Sequence, residues 1–164
     1  MPTYHAARPW LHPLHAILLA FPIALFASAL VSDITYLNSA AIQWTNLSQW
    51  AITGALVFGA PVVAWAVVDW LRIRRSPLRD RLALYPLLLA VMWILGLINA
   101  FKHSQDAWSS VGATGVVLSA LCTLLALAAG WIGYSAPILD PATRRAADPP
   151  VTRPATDPVT GEPA

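Results

Sequence analysis

The chain has 164 residues, 57% of them hydrophobic and 11% charged, with a formal net charge of +2 and a mean hydropathy of +0.59. Soluble domains carry about 25% charged residues, so most of this surface is not built to face water, and so small a net charge leaves no footprint for nucleic acid. The single cysteine, Cys122, excludes an internal disulfide, a CxxCH haem attachment and a multi-cysteine metal site; no glycine-rich phosphate loop, HExxH or GxSxG occurs.

Residues 1–10 form a short polar lead with Arg8 and Trp10. Four apolar segments follow, and they predict helices over about 14–33, 50–70, 82–102 and 111–134. Each is close to the ~20 residues needed to cross a bilayer. The expected fold class is all-α: an integral membrane four-helix bundle of up-down topology, with a disordered C-terminal tail. Helices are required because lipid leaves open backbone groups unsatisfied, and barrel strands would be shorter and alternating. The transmembrane domain is expected to span residues 1–136. The tail, 137–164, holds seven prolines and no apolar periodicity, so it cannot bury enough surface to offset its ordering entropy. Such a segment can also fold on a partner. Ala27-Ser28-Ala29 imitates a signal-peptide cleavage site. The apolar run before it is long, holds Pro22 and is interrupted by histidines, so it reads as a span.

Pro22, Pro61 and Pro86 fall in or near these helices, and each removes a backbone donor and invites a bend. Nine of the ten basic residues share one set of loops: Arg8, the run Arg72 to Arg81, and Arg144, Arg145 and Arg153. Only Lys102 falls on the other side. The positive-inside rule therefore places both termini in the cytoplasm of a multi-pass protein. Trp10, Trp65, Trp70 and Trp131 then mark the inner interface, and Trp44, Trp50 and Trp108 the outer one; Trp93, mid-helix, is the exception.

The fourth helix carries a seam of small residues. Gly112, Gly115, Ser119, Cys122, Ala126, Ala129 and Gly133 recur at alternating steps of three and four. Small residues let membrane helices approach closely, and sustained heptad spacing favours a left-handed crossing. The seam serves either packing within one bundle or a homo-oligomer. Cys122 inside it is a small apolar filler.

The polar residues of the first helix lie on one stripe. His15 and Asp33 are about five turns apart and so share a face, ~27 Å from each other along the axis, and His12 lies near the same face. Lipid rejects such groups, so the stripe is expected to face the bundle interior. At the inner end, His12 and His15 have Asp69 and Tyr85 at matching depth. At the outer end, Asp33 has Asn99 and His103. Tyr85, Met92 and Asn99 are spaced by sevens on one face of the third helix. The inner cluster reads in three ways: caps and ion pairs at helix ends, a metal or haem site using His12, His15 and Asp69, or a proton-handling site. Two histidines on one helix cannot supply opposite axial positions of a single haem. No ionisable residue bridges the two ends. Asp33 reads as a cap or as a partner of Asn99 or Lys102.

His12-Pro13-Leu14-His15, Phe21-Pro22-Ile23 and Asp33 resemble the opening of bacterial membrane proteins of the domain-of-unknown-function family 2231, which begin with an HPLHP-like stretch followed by FPIG and an aspartate. Asp69 and the Gly130 to Tyr134 end of the fourth helix fit the same pattern. Ala16 stands where the pattern often has proline, and Ala24 where it often has glycine. The resemblance covers about residues 10–138. It implies a four-helix inner-membrane protein and brings no established activity. Some relatives look fused to, or encoded beside, redox domains such as Rieske-type iron–sulfur modules, which implies an electron-transfer context by association.

The functional expectation is a small non-enzymatic membrane module that anchors or scaffolds a larger complex. The alternatives are a haem- or metal-binding subunit of an electron-transfer system, and a proton or small-solute pathway; no inverted repeat of broken helices favours the last. The expected partners are the lipid bilayer and either a second copy of the chain or a membrane redox complex.

Overall fold

In the computed structural model, residues 11–72, 83–104 and 111–135 are described. Among them all regular structure is helical: α1 (Pro13–Ser39), α2 (Gln43–Arg72), α3 (Leu84–His103) and α4 (Ala113–Ser135). All four are long and apolar enough to cross a membrane. The 137–164 tail, Arg8, Trp10, Trp108 and the arginines beyond Arg72 lie outside the described residues.

The first two helices run further than hydropathy predicts. α1 continues six residues past Asp33, and α2 begins at Gln43 rather than near Trp50. Polar residues interrupt the apolar pattern there, but neither Gly nor Pro occurs between Pro22 and Gly54 to stop a helix. Thr35, Asn38 and Ser39 return their side chains to the carbonyls one turn back, so they cost the helix little. The joint is only residues 40–42. It is closed by Ala40 in the left-handed region (φ 52°), whose N–H meets the Tyr36 carbonyl at 2.7 Å. With 27 residues, α1 is ~40 Å long, more than a ~30 Å hydrocarbon layer, so it tilts or projects.

At the other end of α1, His12 is the N-cap: its Nδ1 accepts from the Leu14 N–H at 3.3 Å, and Pro13 follows in the first helical position. Pro86 lies in the first turn of α3, where its missing N–H would have had no helical partner. Only Pro22 and Pro61 are interior. Trp93, in the middle of α3, donates its indole N–H to the Leu56 carbonyl of α2 at 3.1 Å. That carbonyl sits just over one turn before Pro61, where the backbone ladder is loosened. The mid-helix tryptophan thereby has a polar partner in the bundle.

The helices form a ring, with α1 and α3 each packed against both α2 and α4. Short joints make neighbours antiparallel, which gives the up-down order. The core is Leu19 and Phe26 of α1, Ile52 and Val62 of α2, Leu89 and Met92 of α3, and Cys122, Ala126 and Ala129 of α4, all fully buried. Burial of Gly115, Ser119, Cys122, Ala126, Ala129 and Gly133 turns the small-residue seam of α4 inward; Gly112 lies before the helix and is exposed. A close approach requires Gly96: a Cβ there would stand 2.8 Å from the Phe26 ring and 3.0 Å from Leu56. Leu14, Ile17, Val57, Ile98 and Leu124 point outward, as side chains do when lipid is the solvent.

Candidate functional site

Two polar clusters sit at opposite ends of the bundle, separated by the apolar layers around Phe26, Leu89 and Met92. One is closed and one is open.

The closed cluster takes a residue from every helix: Asp33 of α1, Ser48 of α2, Asn99 and His103 of α3, and Ser119 of α4. Asp33 Oδ1 lies 2.9 Å from His103 Nε2, with side-chain exposures of 0% and 1%. His103 Nδ1 lies 2.9 Å from the Asn99 main-chain carbonyl. Ser119 donates its hydroxyl to Asp33 Oδ2 at 2.6 Å and accepts from Asn99 Nδ2 at 2.9 Å. Ser48 Oγ lies 3.3 Å from His103 Nε2 and donates to the Ala29 carbonyl at 3.4 Å. Thr123 returns its hydroxyl to the Ser119 carbonyl at 2.7 Å. Asn99 Oδ1, fully buried, has no partner among the described residues.

An ionised carboxylate in so apolar a place would be very costly alone. One hydrogen bond from Ser119 and one shared with the His103 imidazole make it tolerable. The sequence places Asp33, Asn99 and His103 at one depth, and the structure joins them. Asp33 meets His103 and Ser119 directly rather than Asn99, which reaches it only through Ser119. Sequence reasoning missed Ser48 and gave Ser119 a packing role alone. The available signal for Ser119 was a hydroxyl in an otherwise apolar seam, at the depth of Asp33.

The open cluster surrounds a cleft of about 350 Å³ between the starts of α1 and α3 and the end of α2. His15, on the buried face of α1, holds Nε2 at 2.8 Å from the Tyr85 hydroxyl of α3. The Trp65 ring of α2 lies against both imidazoles, 5.3 Å from His12 and 5.5 Å, edge-on, from His15. Asp69 and Arg72 line the cleft from the last turns of α2 and pair loosely at 3.6 Å, with side-chain exposures of 51% and 76%. Leu11, Ala66, Trp70 and Pro86 supply apolar wall. Close by, Tyr134 of α4 donates its hydroxyl to the Ala16 carbonyl at 2.8 Å.

His12, His15 and Asp69 therefore line one cleft, but each is already engaged: His12 with its cap bond, His15 with Tyr85, and Asp69 with Arg72. Among the described residues, no group of three or more His, Cys, Asp or Glu side chains is gathered so as to hold a metal ion. Trp65, expected as an interface marker, also forms a wall of this site. An imidazole edge against an indole face is a recurring aromatic contact, but sequence alone gives no reason to pair these residues.

The family model described as predicted membrane protein (DUF2231) matches residues 11–138, a stretch that contains both clusters. No curated protein and no solved structure matches the chain.

Proposed function

The chain belongs to the DUF2231 family of predicted membrane proteins, and we propose that it is a multi-pass membrane module that takes a small ligand into the cleft beside His12 and His15. The observation that carries this reading is the convergence of five polar side chains, His12, His15, Asp69, Arg72 and Tyr85, from three helices on one open cavity. His15 and Tyr85 are buried polar groups inside a span, and such groups are expensive and need a reason to be there. About 350 Å³ lies within the range of small-ligand sites, and a mostly apolar wall with a few convergent polar groups is their usual make-up.

The chemistry favours a ligand with a hydroxyl-bearing ring and an apolar tail. Trp65 offers a face to the ring, and Leu11 and Pro86 offer wall to the tail. The Tyr85 hydroxyl both donates and accepts. When His15 Nε2 carries a proton, Tyr85 accepts it and has its own proton free for the ligand. When Nε2 is bare, Tyr85 is held by it and offers a lone pair. The arginine distribution would turn this cleft, and both termini, towards the cytoplasm of a bacterial inner membrane.

A passive anchor or scaffold needs the bundle but not the cleft, and an electron-transfer role with haem or metal would use Asp69 and the ring nitrogens of His12 and His15 that their present bonds leave, which are not gathered as one ligand group. The cleft reading uses the groups as they stand. Its test is titration of the full chain, in lipid nanodiscs, with hexylphenol, followed by tryptophan fluorescence. Saturable binding is expected, weakened about tenfold or more, the equivalent of ~1.4 kcal/mol, by Trp65→Ala and by Tyr85→Phe. Unsaturable partitioning, or binding indifferent to both changes, overturns the reading.

A further inference from the structure

The closed cluster at the other end supports an independent inference, because its donors and acceptors can be counted. The Asn99 main-chain carbonyl only accepts, so His103 Nδ1, 2.9 Å away, carries a proton. The single hydroxyl proton of Ser48 goes to the Ala29 carbonyl, which also only accepts. The single hydroxyl proton of Ser119 goes to Asp33 Oδ2, while Ser119 Oγ receives Asn99 Nδ2. Oδ2 is therefore bare, and one proton remains between Asp33 Oδ1 and His103 Nε2. Whether it rests on oxygen or nitrogen, the pair with that proton is neutral overall.

The remaining feature is Asn99 Oδ1, fully buried and unpartnered. A half-turn of the amide exchanges Oδ1 for Nδ2 and presents an acceptor to Ser119. Ser119 can then donate to Asn99 and accept from Asp33. Either amide orientation leaves one of its ends without a partner among the described residues, an acceptor in the present direction of the Asp33–Ser119–Asn99 chain and a donor in the reversed one. The two directions differ in what they demand of Asp33: the present direction needs Oδ2 bare, the reversed one needs it protonated.

We propose that Asp33, Ser119, Asn99 and His103 form a binding site for a second proton. The proton comes from water at this end of the bundle and forms an O–H bond on Asp33 Oδ2. No covalent bond in the protein breaks: Ser119 keeps its hydroxyl proton and redirects it to Asn99 Oδ1, and Asp33 donates to Ser119 Oγ. His103 Nε2–H continues to donate to Oδ1, and the cluster passes from neutral to a single positive charge. That charge rests at the last turn of α3, where the negative end of the helix dipole favours a cation.

Among the described residues, the groups around the site are few. On α1, Tyr36 stands one turn beyond Asp33. α3 brings Lys102 beside His103, and its charge opposes the second proton. α2 faces the pair with Ser48, which does not titrate in this range. α4 faces it with Ser119 and Thr123, and Cys122 follows one turn on.

Infrared difference spectroscopy of the full chain in nanodiscs, taken between neutral and acidic pH, tests the site directly. A protonated carboxyl has a C=O stretch well apart from carboxylate bands. The seven other Asp and Glu side chains give carboxyl bands of their own on acidification; the expected result is one further, distinct band that grows as pH falls, is lost in Asp33→Asn and changes frequency in Ser119→Ala, which removes the acceptor of the new proton. Circular dichroism confirms that each sample is folded. If Asp33→Asn does not fold, the Ser119→Ala frequency decides alone. The proposal fails if no such band appears while the bundle stays folded, if the band persists in Asp33→Asn, or if Ser119→Ala leaves it unmoved.

Discussion

Asp33 and His103, 70 residues apart in sequence, meet at 2.9 Å with almost no exposure of either side chain. Removing one partner leaves the other buried and uncompensated, which typically costs about 3–5 kcal/mol. Asp33→Leu and His103→Leu should each destabilise the bundle by roughly that amount. The double substitution should cost clearly less than the sum, because apolar residues in place of a buried pair are often tolerated. Denaturant titration in mixed micelles checks this; additive losses would show that the two are not coupled.

The two serines at this site should differ. Ser119 donates at 2.6 Å to a carboxylate oxygen, and hydrogen bonds to charged groups contribute about 1.5–3 kcal/mol. The contacts of Ser48 are 3.3 and 3.4 Å, at the long end of hydrogen-bond geometry, and are worth no more than about 0.5–1.5 kcal/mol. Ser119→Ala should therefore destabilise more than Ser48→Ala in the same titration, and the reverse order would place the anchoring of Asp33 on α2.

Cys122 is fully buried among Met92 and its neighbours, with its thiol 3.9 Å from the Met92 carbonyl. It should resist a maleimide in the folded protein and react fully once unfolded. Cys122→Phe should overpack the seam at a cost of about 1–3 kcal/mol. Prompt labelling in the native state would mean that the seam opens.

Much of the fold was legible in the sequence because the bilayer imposes it. Four runs of spanning length, with polar backbone barred from lipid, leave little besides a helical bundle. The helix ends were less legible: Thr35, Asn38 and Ser39 lower the hydropathy without breaking the helix, because their side chains return to the backbone. Helical spacing assigned depth to Asp33, Asn99 and His103 but not contact. A register fixes height along the bundle and leaves rotation about the axis open. The roles of Ser48 and Trp65 depend on that rotation, and neither residue stands out by type among ten serines and eight tryptophans.

Gly96 shows the same dependence on packing. The Phe26 ring and Leu56 occupy the space a side chain would need, so Gly96→Val should lower stability despite the helix-propensity gain of roughly 0.3 kcal/mol when valine replaces glycine. A variant as stable as the parent in thermal unfolding would mean that α1 and α3 can separate there without cost.

One polar site is open to a ligand and the other is closed. Carbethoxylation by diethyl pyrocarbonate, mapped by mass spectrometry on the folded chain, tests both at once. His12, exposed at the cleft, should react readily and be protected by hexylphenol, whereas His103 should react only after unfolding. Reaction of His103 at the rate of His12, or no protection of His12 by the probe, would contradict it.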